Sequence, residues 1–310
     1  MIPKAFGPFF SSKISGKVFN FFASVFCASL LIFFIIQLTP GLTEVHNLSD
    51  ASKKILHMDQ SAIVQYLHWV KGCLTLDFGI RISNNEPVID LIKGTAFTTI
   101  YLTVGSLLLS ILLSIPISIY LATRPDSKRG KVISSVVYGI SSVPVFVVGY
   151  IVLGLIFSFH MNIIRPVEEL SNGLAVFLYY VVPLVVLALG NGTLGEFVRV
   201  LTLEIQSVNA SLFIKAARSR GVALFPQFIK PVILPFLSIV ISRFAVLVGG
   251  VIVVEKIFNR RGMGELVWSA TSDREFFIVM AISLLTAVII RLLMLLHDVF
   301  SYYMDPRLRG

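Results

Sequence analysis

Few residues in this chain could do chemistry on a bound molecule. The five histidines (His46, His57, His68, His160, His297) are scattered. Cys27 and Cys73 share no C-x-x-C or His–Cys spacing, so neither a metal site nor a disulfide framework is indicated. There is no G-x-x-x-x-G-K-[ST] loop to cradle ATP phosphates and no H-E-x-x-H, and no paired acids or nucleophile–base set stands out. What remains is recognition, and it centres on residues 215–221, K-A-A-R-S-R-G. Phe213, Ala216 and Ala217 fall at the i, i+3, i+4 spacing of one helical face, while Lys215, Arg218 and Ser219 fall on another. Gly221 is placed to stop that helix, because glycine takes the left-handed conformation without a Cβ penalty. A small-residue face ringed by cations suits close approach of a partner protein. A small-faced surface helix with no partner is the plainer alternative.

A second group of residues stands out by where it lies. Arg243 falls inside an apolar run, where a charge must face a path, a partner helix or an acid, or else snorkel to the interface. Gly249-Gly250 marks either close helix packing or a gate hinge. Glu255 is either a contact for the amine of a cargo or a structural acid at the interface. Pro116, Pro144 and Pro183 interrupt other apolar runs as gating kinks or static bends.

Composition says what must position these residues. The 310 residues are 56% hydrophobic and 14% charged, against about 25% charged in ordinary soluble domains. Such a chain is an integral membrane protein. The net charge of +9 fits basic loops held on the cytoplasmic side and does not call for nucleic acid.

Six spans of bilayer length are expected, at 18–38, 96–123, 132–159, 173–189, 236–254 and 276–296. The first is preceded by Lys4, Lys13 and Lys17; it is too long for a signal peptide's apolar region and lacks a clean A-x-A site, so it is expected to be a retained anchor. Residues 1–17 then form a cytoplasmic N-terminus, 18–39 the first transmembrane helix and 40–95 a sizeable outer region. Residues 96–304 form a five-helix membrane domain, with a cytoplasmic segment at 193–235, and 305–310 a cytoplasmic tail. Residues 63–76 read as a helix from Ile63, Leu67, Val70 and Leu74, and 87–92 as a second short helix leading inward. Residues 196–206 read as an amphipathic helix, and 255–275 as a mixed-charge loop with a turn at 260–264.

The loop R-P-D-S-K-R-G-K at 124–131 is strongly basic and sets the orientation. Asp126 and Ser207 are expected inside, and Asp50, Glu168 and Ser272 outside. The charge bias is weakest at 255–275, where Lys256, Arg260, Arg261 and Arg274 face an equal number of acids.

Residues 215–221 followed by Leu234-Pro235 resemble the cytoplasmic signature E-A-A-x-x-x-G…L-P of permease subunits of bacterial ABC importers. Lys215 stands where the general signature has Glu, and the spacing to Leu234-Pro235 also departs from it. The likeness extends over nearly the full chain to the B-type permeases of dipeptide, oligopeptide and nickel importers. Leu38-Thr39-Pro40-Gly41, then Gln65-Tyr66-Leu67-His68-Trp69, Leu76-Asp77-Phe78-Gly79, and Pro87-Val88 with Leu91-Ile92 resemble that group's first span and outer region. Ser142-Val143-Pro144-Val145-Phe146 resembles its S-I-P-x-F. Val254-Glu255 through Phe258 and Gly262-Met263-Gly264 resemble its V-E-x-x-F…G-x-G, and Asp305-Pro306-Arg307-Leu308-Arg309 its D-P-R-x-R ending. Leu42 departs from the acid that usually follows Pro-Gly.

The resemblance implies an all-α membrane protein with the type I ABC importer permease fold in a bacterial inner membrane. It implies a second related permease as heterodimer partner, two ATPase subunits that hold the ATP and Mg, and an extracytoplasmic binding protein. This chain would itself bind no cofactor. Phe213, Lys215, Ala216, Ala217, Arg218 and Gly221 would dock the ATPase, and the cargo would be di- or oligopeptides, with nickel or glutathione as alternatives. A channel, a secondary transporter or a membrane-embedded enzyme are the competing classes. The absence of a repeated second half and of paired acids counts against them.

Overall fold

The structure is a computed structural model that describes residues 12–38, 60–161, 163–170, 172–223 and 225–304. Thr39-Pro40-Gly41, Asp50 and the 305–309 ending lie outside the described residues. Helices are the regular structure of the described part, which has no β-strand beyond a single bridge between Ile80 and Pro87. Four helices are long and apolar enough to cross a membrane alone, and two bent pairs pass the same test, giving six crossings when each pair counts once.

One compact unit brings together α1 (Ser12–Gln37), α2 (Ala62–Leu74) and α11 (Phe276–Met304). Phe33, Tyr66, Trp69, Met280 and Leu284 form its core, so the Gln65–Trp69 landmark owes its aromatics to packing. Ser29 and Tyr66 share a hydrogen bond of 2.8 Å within it. The loop after α2 is fastened by one acid: Glu275, 3% exposed, accepts the backbone N–H groups of Ile82 and Ser83 at 2.5 and 2.9 Å. Gly79 sits at φ +90° with Phe277 3.2 Å from where a Cβ would stand. That accounts for the Leu76–Gly79 landmark.

The second unit runs from Lys93 to Ser269. It holds most of α3 (Val88–Thr123), α4 (Lys128–Ser141), α5 (Val145–Ser158), α6 (Gly173–Leu189), α7 (Thr193–Ala210), α8 (Leu212–Ser219), α9 (Phe225–Ile257) and the start of α10 (Met263–Ser272). Its core is built from Leu102, Val145, Val186, Leu187, Leu247, Val251, Val254 and Phe258. Ser106, Ser110, Ser114 and Ser118 recur every fourth residue along α3 and are fully buried. Ser110 donates to the carbonyl of Ala188 at 3.1 Å and Ser118 to that of Val198 at 3.2 Å. Small hydroxyls at this spacing let helix backbones approach closely in an apolar solvent.

Four expectations are corrected here. Residues 87–92 are no separate helix but the start of α3, since Pro87 precedes the first turn, where no donor is needed. The third apolar run does not merely kink at Pro144: α4 and α5 meet at 97°. The fifth span does not start at residue 236, because α9 begins at Phe225 and runs through Pro231 and Pro235. And the mixed-charge loop after α9 contains α10, whose apolar Leu266 and Ala270 lie one turn apart and are buried.

Candidate coupling and translocation site

The short helix α8 is built as an outward-facing knob. Its end has the Schellman pattern: Val222 N–H donates to the carbonyl of Ala217 at 3.0 Å and Gly221 N–H to that of Arg218 at 3.2 Å. Gly221 has φ +65°, and a Cβ there would meet nothing within 4 Å, so backbone conformation is what asks for glycine. Ile214 is fully buried and anchors the helix, whereas Phe213 is 49% exposed. Lys215, Ala216, Arg218 and Gly221 are exposed and Ala217 is half-buried. Arg218 reaches back to Asn209 Oδ1 at 3.0 Å, tying the knob to the end of α7. The small-residue face and the glycine stop thus lie where their spacing put them. Ile214, which no motif singled out, is the residue that holds them.

α7 carries α8 and packs along α9. Phe197, fully buried, meets Phe236 edge-on at 5.5 Å between ring centroids. Arg243 of α9 lies 3.6 Å from Glu196 of α7, which also holds Arg199 at 2.7 Å. Among the readings open for Arg243, the structure gives it an acid partner within the chain.

The two bent pairs interlock at Gly190-Asn191-Gly192. Gly192 has φ +72° and starts α7 with no side chain to cap it. The cap comes instead from α4, where Ser141 Oγ accepts the N–H of Gly195 at 3.0 Å. A Cβ on Gly190 would stand 2.8 Å from Val145, and one on Gly195 2.7 Å from Ser141. Gly250 of α9 closes on the same turn, against Asn191 and, at 3.1 Å, Leu187. Gly249 faces open space. So the pair divides: Gly250 is a close helix contact and Gly249 is not. The Gly-Asn-Gly run was the signal for this junction in the sequence.

Glu255 is fully buried. Its Oε1 accepts the Thr99 hydroxyl at 2.6 Å and its Oε2 the backbone N–H of Glu265 at 2.9 Å. Gly262 leaves room for the carboxylate itself, since a Cβ there would collide with it. A carboxylate at the first turn of α10 offsets the unpaired N–H groups of that helix start. This is the structural role open to Glu255, and it explains the V-E-x-x-F…G-x-G spacing. The turn between carries Arg260, 3% exposed, whose ordinary pKa is pulled down by burial.

Six apolar crossings, counting each bent pair once, with a short exposed helix between the fourth and fifth, describe a polytopic membrane protein. The chain matches the family described as "Binding-protein-dependent transport system inner membrane component" over residues 114–310 and belongs to it. It is therefore an ABC importer permease, a multi-pass protein of the inner membrane. Among curated relatives it is similar to the nickel import system permease protein NikB of Staphylococcus aureus (strain bovine RF122 / ET3-1), at 26% identity over 92% of this chain and 88% of that protein. The NikB of strain MRSA252 is 25% identical over 97% of this chain and 93% of its own length.

Proposed function

We propose that this chain forms one half of the translocation path of an ATP-driven peptide importer, beside a second, related permease. Two separate ATPase subunits hold ATP and Mg, and an extracytoplasmic binding protein delivers a di- or oligopeptide. On ATP binding the ATPases close, α8 moves with them, and α7 and α9 carry that movement into the spans. The observation that supports this most is α8 itself, a helix anchored by Ile214 and stopped by Gly221 that leaves Ala216 and the cations beside it exposed. Phe213, Lys215, Ala216, Ala217, Arg218 and Gly221 make the docking surface in this reading. Arg243, through Glu196, and Gly250, through Asn191, fix the helix that carries it; Glu255 sets the turn after the fifth span.

Nickel import is the second reading, favoured by the names of the NikB relatives, and glutathione is a third cargo compatible with the resemblance. Uptake by cells carrying the assembled complex decides among them. Labelled dipeptide entering in an ATP-dependent manner, with nickel uptake unchanged on deletion of this chain, supports the peptide reading. Loss of nickel uptake alone on deletion transfers the assignment to nickel.

A further inference from the structure

A cavity of about 310 Å³ opens among the third and fourth turns of α3, residues 164–168, the early turns of α6 and the turn after α9. By the orientation that the basic loop at 124–131 sets, this side of the unit is expected to face outside. Arg260 lines it, and its bonding is incomplete. Nη2 donates to the carbonyls of Ile163 and Tyr179 at 3.1 and 2.8 Å, and the guanidinium lies over the Tyr179 ring at 3.2 Å from its centroid. Nε and Nη1 are buried with no hydrogen-bond partner. Among the described residues no carboxylate lies within ion-pair reach of it. Carbonyl oxygens and a ring face offer partial charges only, and a guanidinium stays protonated. A buried cation left in that state is costly unless an anion joins it.

The rest of the lining says what kind of anion. Arg261, exposed, adds a second positive charge, against one acid, the exposed Glu168. Phe97, Tyr101 and Tyr180 supply aromatic wall. A concave aromatic site with a few convergent polar groups suits a small organic molecule more than a bare ion. We propose that this cavity binds the carboxylate group of a small organic solute, with Arg260 as its buried counter-charge and the aromatic residues covering its body. Arginine suits the task because its planar fork matches a carboxylate. That the solute is cargo rests on the importer reading; the binding itself does not.

The test uses the full-length chain purified in an uncharged maltoside detergent, with thermal unfolding as readout. The probes are dialanine, N-acetylalanine, alaninamide, inorganic phosphate and sodium chloride. Dialanine and N-acetylalanine are expected to raise the Tm saturably by a few degrees at large excess, since a ligand that binds only the folded state stabilises it. Alaninamide, phosphate and chloride at equal concentration should not. Arg260→Met should abolish the shift. Should that variant fail to fold after losing its two carbonyl contacts, the exposed Arg261→Met carries the test, with an apparent affinity weaker by about threefold, as for an exposed charge. Equal shifts with alaninamide, phosphate or chloride overturn the proposal, as does no shift with either carboxylate or an unchanged response in Arg261→Met. Carboxylate binding without peptide import in cells refutes the peptide-cargo reading alone. Import without carboxylate binding refutes this site alone.

Discussion

Glu255 accepts the hydroxyl of Thr99 at 2.6 Å, and the same hydroxyl oxygen accepts the backbone N–H of Met263 at 2.7 Å. One buried carboxylate thereby joins α3, α9 and the start of α10. Glu255→Ala should leave the Thr99 hydroxyl and the Glu265 N–H unpaired, at about 1–3 kcal/mol for each buried group. Glu255→Gln keeps the shape and one acceptor and should cost about 1 kcal/mol. Thermal unfolding of the purified variants checks this. The expected order is wild type, then Gln, then Ala. An Ala variant as stable as wild type would remove the anchoring role.

Two adjacent glycines should behave oppositely. Gly250→Ala puts a methyl group against Asn191 and Leu187 and should destabilise by about 1–3 kcal/mol through overpacking. Gly249→Ala meets open space inside a helix and should be neutral or stabilising by up to about 1 kcal/mol. Unfolding midpoints of the two variants measure the contrast, and a reversed order would place the close approach elsewhere.

The Arg243–Glu196 pair admits a double-mutant cycle. Arg243→Leu and Glu196→Leu, singly and together, should show a coupling of about 0.5–3 kcal/mol, because both side chains are largely buried and 3.6 Å apart. Arg243→Leu should insert normally and lose part of its ligand-stimulated ATP hydrolysis in the complex. Additive effects with full transport would leave Arg243 as a bystander.

Cys73 gives a pH prediction. Burial pushes its thiol up to about 12, and the thiolate is the reactive form. In a Cys27→Ser background, alkylation of Cys73 should be slow at neutral pH and still rise about tenfold per pH unit near pH 10, where an ordinary thiol has levelled off. A rate that levels off near pH 9, read by mass spectrometry, would place Cys73 in a solvated site.

Periodicity and breakers were enough to read most of this fold from sequence. Long apolar runs located the spans, and Ala216, Ala217 and Gly221 located α8, because its spacing and stop are local properties. Junctions were harder, since they depend on residues far apart. Nothing next to Gly192 shows that its helix is capped by Ser141 of α4, or that Gly250 closes on Asn191. α10 was missed because the charged residues on either side of it, Arg260 and Arg261 before and Asp273, Arg274 and Glu275 after, hide a short apolar face that only tertiary packing makes visible. The buried serines of α3 did carry a signal, a strict four-residue repeat, inside a run whose hydropathy alone had already explained it.

The central claim is that α8 couples this chain to an ATPase. Ala217→Leu and Gly221→Val add bulk at the surface proposed to dock the ATPase, and Gly221→Val also strains a residue at φ +65°. Overpacking an interface costs about 1–3 kcal/mol by analogy with cores, and about 1.4 kcal/mol is tenfold in affinity. The deciding measurement is the amount of ATPase that co-purifies with the assembled, membrane-inserted complex. Both bulky variants should insert normally and lose most of it, with ligand-stimulated ATP hydrolysis falling in parallel, while Lys215→Ala should retain nearly all. Full retention of the ATPase and of transport in both Ala217→Leu and Gly221→Val would contradict the claim and leave residues 212–221 a surface helix with no coupling role.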